Sequence, residues 1–205
     1  MVKKEIRKKI ILLGASSGVA KDFISKNKIY DLIKVGRSYN IKYEDFLNNK
    51  KIKNDYYAII YFIGFFKKSY EKKDSKIFKL NYEVLRECLV KNYKNYLQKK
   101  RKIKFIIITS LDSIFPNINS IEYSVSKSAA SHLILNLHKS HKNTKINYYD
   151  IQPGAIKTKM RKKKFGNTLK SGEITKTLNF ILSLDINSSL LPIKIFKKLN
   201  NYNLI

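Results

Sequence analysis

The chain has 205 residues, 43% of them hydrophobic, and a single cysteine, Cys88. That length and apolar content suit one domain (1–205) with a full core, and exclude a disordered chain and an intrachain disulfide. The formal charge of +28 invites a nucleic-acid reading, but only five of the 43 basic residues are Arg and the Lys residues run through the whole sequence. That pattern fits compositional drift, and no specific nucleic-acid partner is expected.

The N-terminal stretch "MVKKEIRKKIILLG" sets basic residues before an apolar run, as a secretory signal does. The run Ile10–Leu13 is too short for one and breaks at Gly14. No stretch of about 18 apolar residues follows anywhere, so no membrane span is expected, and the lone cysteine suits a reducing cytoplasm. Apolar runs at 9–14, 31–36, 56–64, 103–110, 146–154 and 190–196 read as strands. Helical patterns occupy 19–27, 75–99, 121–141 and 173–183. The strand runs are continuous rather than alternating, which suits a sheet buried on both faces. Strands and helices taking turns in this way predict a doubly wound, mostly parallel α/β sheet.

The first strand runs into "GASSGVA" (14–20). Gly14 and Gly18 allow a tight turn, and Ser16 and Ser17 offer hydroxyl and amide donors. Val19 follows at the start of a helix whose free N–H groups suit a pyrophosphate. The second strand ends in "VGRS". An acidic residue there would hold the ribose hydroxyls of NAD; Arg37, with Ser38 beside it, suits a 2′-phosphate instead, so NADP is favoured over NAD.

"EYSVSK" (122–127) puts Tyr123 and Lys127 four residues apart, on one face of a helix. An ammonium beside a phenol favours the phenolate and draws the tyrosine towards acid/base duty. His132, His138 and His141 follow on the same helix without metal-ligand spacing. They read as solvated helix-end residues, and no metal is expected.

Together these motifs resemble the short-chain dehydrogenase/reductase family, with its Rossmann-like fold. "GASSGVA" is similar to the family's Gly-rich loop with Ala20 in place of the last glycine, and "EYSVSK" to its Tyr-x-x-x-Lys signature. Ser110 closes the strand "IITS" 13 residues before Tyr123, and "QPGAIKT" (152–158) is similar to the Pro-Gly-x-x-x-Thr segment over the nicotinamide. The resemblance implies catalysis by Asn81, Ser110, Tyr123 and Lys127. It implies cofactor contacts from Gly14, Ser16, Ser17, Gly18, Val19, Arg37, Ser38, Gly64, Tyr123, Lys127, Pro153, Gly154, Ile156 and Thr158. Tyr123 would pass a proton to a carbonyl oxygen, with Ser110 holding that oxygen and Asn81 anchoring a water chain to Lys127.

Three departures stand out. The segment 18–64 is short, so a helix between the early strands is reduced or missing. Phe62-Ile63-Gly64 replaces the family's Asn-Ala-Gly, and the C-terminal tail is short. The basic run "KTKMRKKKF" (157–165) raises the prospect of an anionic substrate. The reading is a cytoplasmic oxidoreductase acting on a small carbonyl or alcohol as a homodimer or homotetramer. Alternatives are a reductase of 3-oxoacyl groups on a carrier protein, and a binding protein that keeps the fold without catalysis.

Overall fold

The computed structural model describes residues 7–48, 56–67, 75–98, 102–115, 117–142, 144–157, 168–185 and 191–197. In chain order these form β1 (Lys9–Leu13), α1 (Gly18–Lys26), β2 (Asp31–Val35), α2 (Tyr43–Asn48), β3 (Ala58–Tyr61) and α3 (Ser75–Phe78). A π-helical segment, Lys79–Glu83, leads into α4 (Val84–Gln98). Then come β4 (Ile103–Ile108), α5 (Ile121–Ser140), β5 (Ile146–Pro153), α6 (Ser171–Ser183) and β6 (Ile193–Ile195). Two short 3₁₀ turns, Leu111–Ser113 and Ile118–Ser120, lie between β4 and α5.

The six strands make one parallel sheet in the order β2-β1-β3-β4-β5-β6. The chain therefore reverses direction across the sheet between β1 and β3, and a crevice opens at the strand C-termini there, where doubly wound folds hold their ligands. All six expected strands are present.

The sheet is buried on both faces, as the unbroken apolar runs required. Ile11, Leu13, Ile59, Tyr61, Phe105 and Ile107 point to one face, where Leu85 and Cys88 of α4 and Ala130 and Ile134 of α5 cover them. Ile10, Leu12, Ile60, Ile106 and Ile151 point to the other, against Phe23 of α1 and Ile174, Leu178 and Ile181 of α6. At about 25 cal/mol per Å² of apolar surface, this two-sided burial is the main force holding the layers together.

One strand residue breaks the apolar pattern on the α6 side. Lys104 of β4 has no exposed surface, and its ammonium donates to the carbonyls of Ile181, Leu182 and Leu184 at 2.9, 3.2 and 2.6 Å. Those are orphan carbonyls at the C-terminus of α6, where the helix dipole also favours a cation. Burial lowers the Lys104 pKa to about 8.

Among the described residues between β2 and β3 the one helix is α2, six residues long, in keeping with the expected early reduction. The long helix expected over 75–99 is interrupted by its π segment. The histidines divide: His132 is exposed, but His141 is buried, with Nδ1 2.7 Å from the Tyr148 hydroxyl. Packing against β5 explains why its helix-end position did not leave it in water.

Candidate active site

The turn from β1 into α1 is shaped by contact with both neighbouring strands. Gly14 has φ +82°, and a Cβ there would lie 2.8 Å from the Ile63 nitrogen. Only glycine meets both demands at low cost. The Gly14 and Ala15 amides both donate to the Val35 carbonyl, fastening the turn to the end of β2.

The two serines have settled structural partners. Ser17 is the N-cap of α1, accepting from the Ala20 amide at 3.1 Å. Ser16 Oγ accepts from the Ser38 amide at 3.3 Å, and a Cβ on Gly36 would stand 3.0 Å from it. The serine hydroxyls thus build the loop, leaving the first amides of α1 as its ligand-facing donors. No acidic residue sits in the first turn of α1 to oppose an anion there.

A cavity of about 1400 Å³ runs over this loop and along the strand C-termini. One end is lined by Ser16, Ser17, Gly18, Val19, Gly36, Arg37 and Lys42; the other by Ser110, Tyr123, Lys127, Pro153, Gly154 and Ile156. Lys42, which sequence reasoning missed, bridges the Arg37 and Tyr39 carbonyls at 2.8 and 3.0 Å, so it braces the loop that carries Arg37. Asp45 accepts from the Lys42 amide at the start of α2. Thr158, with most of the basic run 157–165, lies outside the described residues.

At the far end, β4 and α5 supply the chemical groups. Ser110 leaves β4 in extended backbone, and its Oγ accepts from the Asp112 amide at 3.1 Å. Tyr123 and Lys127 occupy successive turns of α5, with Lys127 Nζ 5.7 Å from the phenol ring centre. Phe66 packs edge-on against the same ring, centroids 5.1 Å apart.

Lys127 is only 4% exposed, and its Nζ donates to the Ile108 carbonyl at 3.3 Å. Burial lowers its pKa to about 8, while Asp150 acts in the opposite direction. Asn81, in the π segment, is 1% exposed; its amide bonds to both backbone groups of Phe65 and to Ser126 Oγ. A Cβ on Gly64 would lie 3.4 Å from Lys127 Nζ and 3.6 Å from Asn81 Oδ1. The surviving glycine of Phe62-Ile63-Gly64 therefore lets the loop after β3 close over these two side chains.

The arrangement fits a dinucleotide. A tight glycine turn, a helix N-terminus free of acidic residues, a basic loop at one end and a Lys-Tyr-Ser group at the other share one continuous cavity.

Sequence and shape lead to the same relatives. Residues 63–168 match the family model described as short chain dehydrogenase. The chain belongs to the short chain dehydrogenase family. No curated protein matches it. Among solved structures, it is similar to an alcohol dehydrogenase from the archaeon Thermococcus sibiricus, complexed with 5-hydroxy-NADP. That likeness has 16% identity and a TM-score of 0.79, covering 96% of this chain and 100% of that one. ElxO with NADP bound gives 14% identity and 0.79, covering 93% and 97%. A 4-hydroxyisoleucine dehydrogenase complexed with NADH gives 18% and 0.78, covering 92% and 96%. As a member of this family the dehydrogenase is an NAD(P)-dependent oxidoreductase with the family's parallel-sheet fold.

Sequence reasoning also missed a polar cluster beneath α5. Asp150 of β5, 1% exposed, accepts hydrogen bonds from Thr109 Oγ1, Ser131 Oγ and Gln152 Nε2. Its only signal was an acidic residue inside an otherwise apolar strand, "YYDIQP".

Proposed function

We propose that this dehydrogenase interconverts a carbonyl and a secondary alcohol with NADP, using Tyr123 as the proton donor and acceptor. The observation that carries the reading is that Ser110, Tyr123 and Lys127 line the same cavity as the Gly14–Val19 loop. Arg37 supports the choice of NADP, because a guanidinium pairs with a 2′-phosphate where an acidic residue would repel it.

The bound nicotinamide would supply or accept the hydride, and the protein supplies binding, orientation and the proton. The amides of Gly18 and Val19 would receive the pyrophosphate at the α1 terminus. Lys127 would hold the adjoining ribose. Ser110 Oγ would donate to the substrate oxygen, where its hydrogen bond matters most as charge develops. Tyr123 would give its hydroxyl proton to that oxygen during reduction and take it back during oxidation. The Lys127 ammonium stabilises the phenolate left behind. Asn81 would act by fixing the loop that closes over Lys127.

The deciding experiment compares wild type with Tyr123→Phe for carbonyl-dependent NADPH oxidation and for NADPH affinity. Loss of a general acid costs typically about 10²–10⁴-fold. Turnover should fall that far with affinity little changed. A Tyr123→Phe enzyme as fast as wild type would remove Tyr123 from the mechanism.

A further inference from the structure

Asp150 stands where three elements of the site meet. Thr109, which donates to its Oδ1, is the neighbour of Ser110 at the end of β4. Ser131, which donates to its Oδ2, lies one turn beyond Lys127 on α5. Gln152, which donates to Oδ2 at 2.8 Å and to Ser131 Oγ at 2.9 Å, precedes Pro153 and Gly154 at the end of β5. A carboxylate buried to this degree needs both donors and an opposite charge to persist as an anion. The donors are these three side chains. Burial pushes the Asp150 carboxyl above its usual value, while those three donors and, as the opposite charge, Lys127 work to hold it down.

We propose that Asp150 is a positioning residue of the reaction: its carboxylate locks the Ser110 strand end to the Tyr123–Lys127 helix and serves as the fixed counter-charge of the Lys127 ammonium. The proposal rests on the reading of Tyr123 and Lys127 given above. Asp150 touches neither substrate nor cofactor and acts through Lys127.

The surroundings of Lys127 make this charge decisive. The groups against it from the other elements are the Ile108 carbonyl of β4, Gly64 after β3 and Asn81 of the π segment, all uncharged. From its own helix comes the Tyr123 ring, and Asp112 of the first 3₁₀ turn lines the common cavity. Among the described residues, Asp150 is the charged group that acts on Lys127. Burial already draws the Lys127 pKa down to about 8, so removing the one opposing charge would lower it further. A lysine neutral at working pH no longer stabilises a phenolate.

Asp150→Asn is a clean probe because the network can absorb it. The Asn side chain can keep its oxygen towards Ser131 and Gln152 and turn its Nδ2 to Thr109 Oγ1, whose own proton then goes to the Ile151 carbonyl at 3.3 Å, so the contacts are kept and the charge is lost.

The test has two independent readouts. The first is the pH profile of kcat/KM for NADPH-dependent reduction. Wild type should lose activity as pH rises through about 8. In Asp150→Asn that limb should move acid by about one unit or more, the scale for an opposite charge nearby. Lowering the pH to about 6 should then restore much of the lost activity. Ser131→Ala, which keeps the charge, should leave the limb where it is. A limb that stays put in Asp150→Asn, with activity equally low at all pH values, would overturn the proposal.

The second readout is a double-mutant cycle in Tm without cofactor, using Asp150→Asn, Lys127→Met and the pair. It holds whether or not the enzyme reduces carbonyls, so failure of the catalytic reading is distinguishable from failure of the charge pair. The double variant should be more stable than the two single losses sum to. Additive losses would overturn the pairing. If Asp150→Asn alone does not fold, recovery in the double variant supports the pair, and failure to recover makes Asp150 a packing residue.

Discussion

Asn81 holds Phe65 by both ends of its side-chain amide, accepting from the Phe65 N–H at 2.8 Å and donating to the Phe65 carbonyl at 3.0 Å. The loop after β3 thus gains from a side chain the pairing that a further strand would have given it. The same amide reaches Ser126 at 2.9 Å, the neighbour of Lys127. A water chain anchored on Asn81 must share it with these bonds.

Asn81→Ala should therefore destabilise the fold as well as slow the enzyme. It strands two partly buried backbone groups, each removal costing about 1–3 kcal/mol. Urea unfolding reads this directly. A loss under roughly 0.5 kcal/mol, typical of an inconsequential surface change, would show that the loop is held by something else.

Gly14→Ala should be worse for the cofactor than for the sheet. A left-handed residue with a Cβ costs about 1–2 kcal/mol. The new methyl must also push Ile63 from 2.8 Å, which shifts the loop under the cofactor. NADPH titration and thermal unfolding should together show a modest fall in Tm and a large fall in affinity. Unchanged affinity would mean the turn does not touch the cofactor.

Arg37 can be examined without any substrate. A ligand that binds only the folded state stabilises it by about 2.7 kcal/mol at a hundredfold excess over Kd. NADPH should raise Tm more than NADH does, and Arg37→Asp should erase or reverse the difference. Equal shifts with the unmodified protein would retire Arg37 as the selector.

Alkaline pH should first strengthen the cofactor-free protein and then weaken it. Lys104 and Lys127 are pulled from 10.5 down to about 8 by burial. Between those values the unfolded chain holds more protons than the folded one, so stability rises with pH. Burial moves Tyr56 the other way, from 10.0 up to about 12, and raises Tyr43 and Tyr61 as well. Above pH 10 the unfolded tyrosines ionise first and stability falls again. Tm across pH 7–12 should pass through a maximum near pH 10. In Lys104→Met the rising limb should shrink while the falling limb stays. A Tm that declines steadily from pH 8 would contradict the buried ammonium groups.

The sequence by itself determined the layers of this protein and the order of its motifs. Unbroken apolar runs such as "KIILLG" and "IKFIIITS" announce strands covered on both sides, because a half-exposed strand would alternate. Gly14 and Gly18 after the first run, and Tyr123 four residues before Lys127, are local patterns whose geometry follows from one turn and one helix. Such features depend on neighbours in the chain, and the chain displays them.

Tertiary structure decided everything that depends on residues distant in sequence. That Lys104 would cap α6 is invisible in "IKFIII", because its partners lie about 80 residues away. That Ser16 would bond to Ser38, that Asn81 would hold Phe65, and that Asp150 would accept from Thr109 are further cases. A buried polar group must find donors, acceptors or a counter-charge wherever the fold brings them. Hydrophobic periodicity records which side of an element faces inward but not which polar group waits there, so the partners became known only when the sheet was assembled.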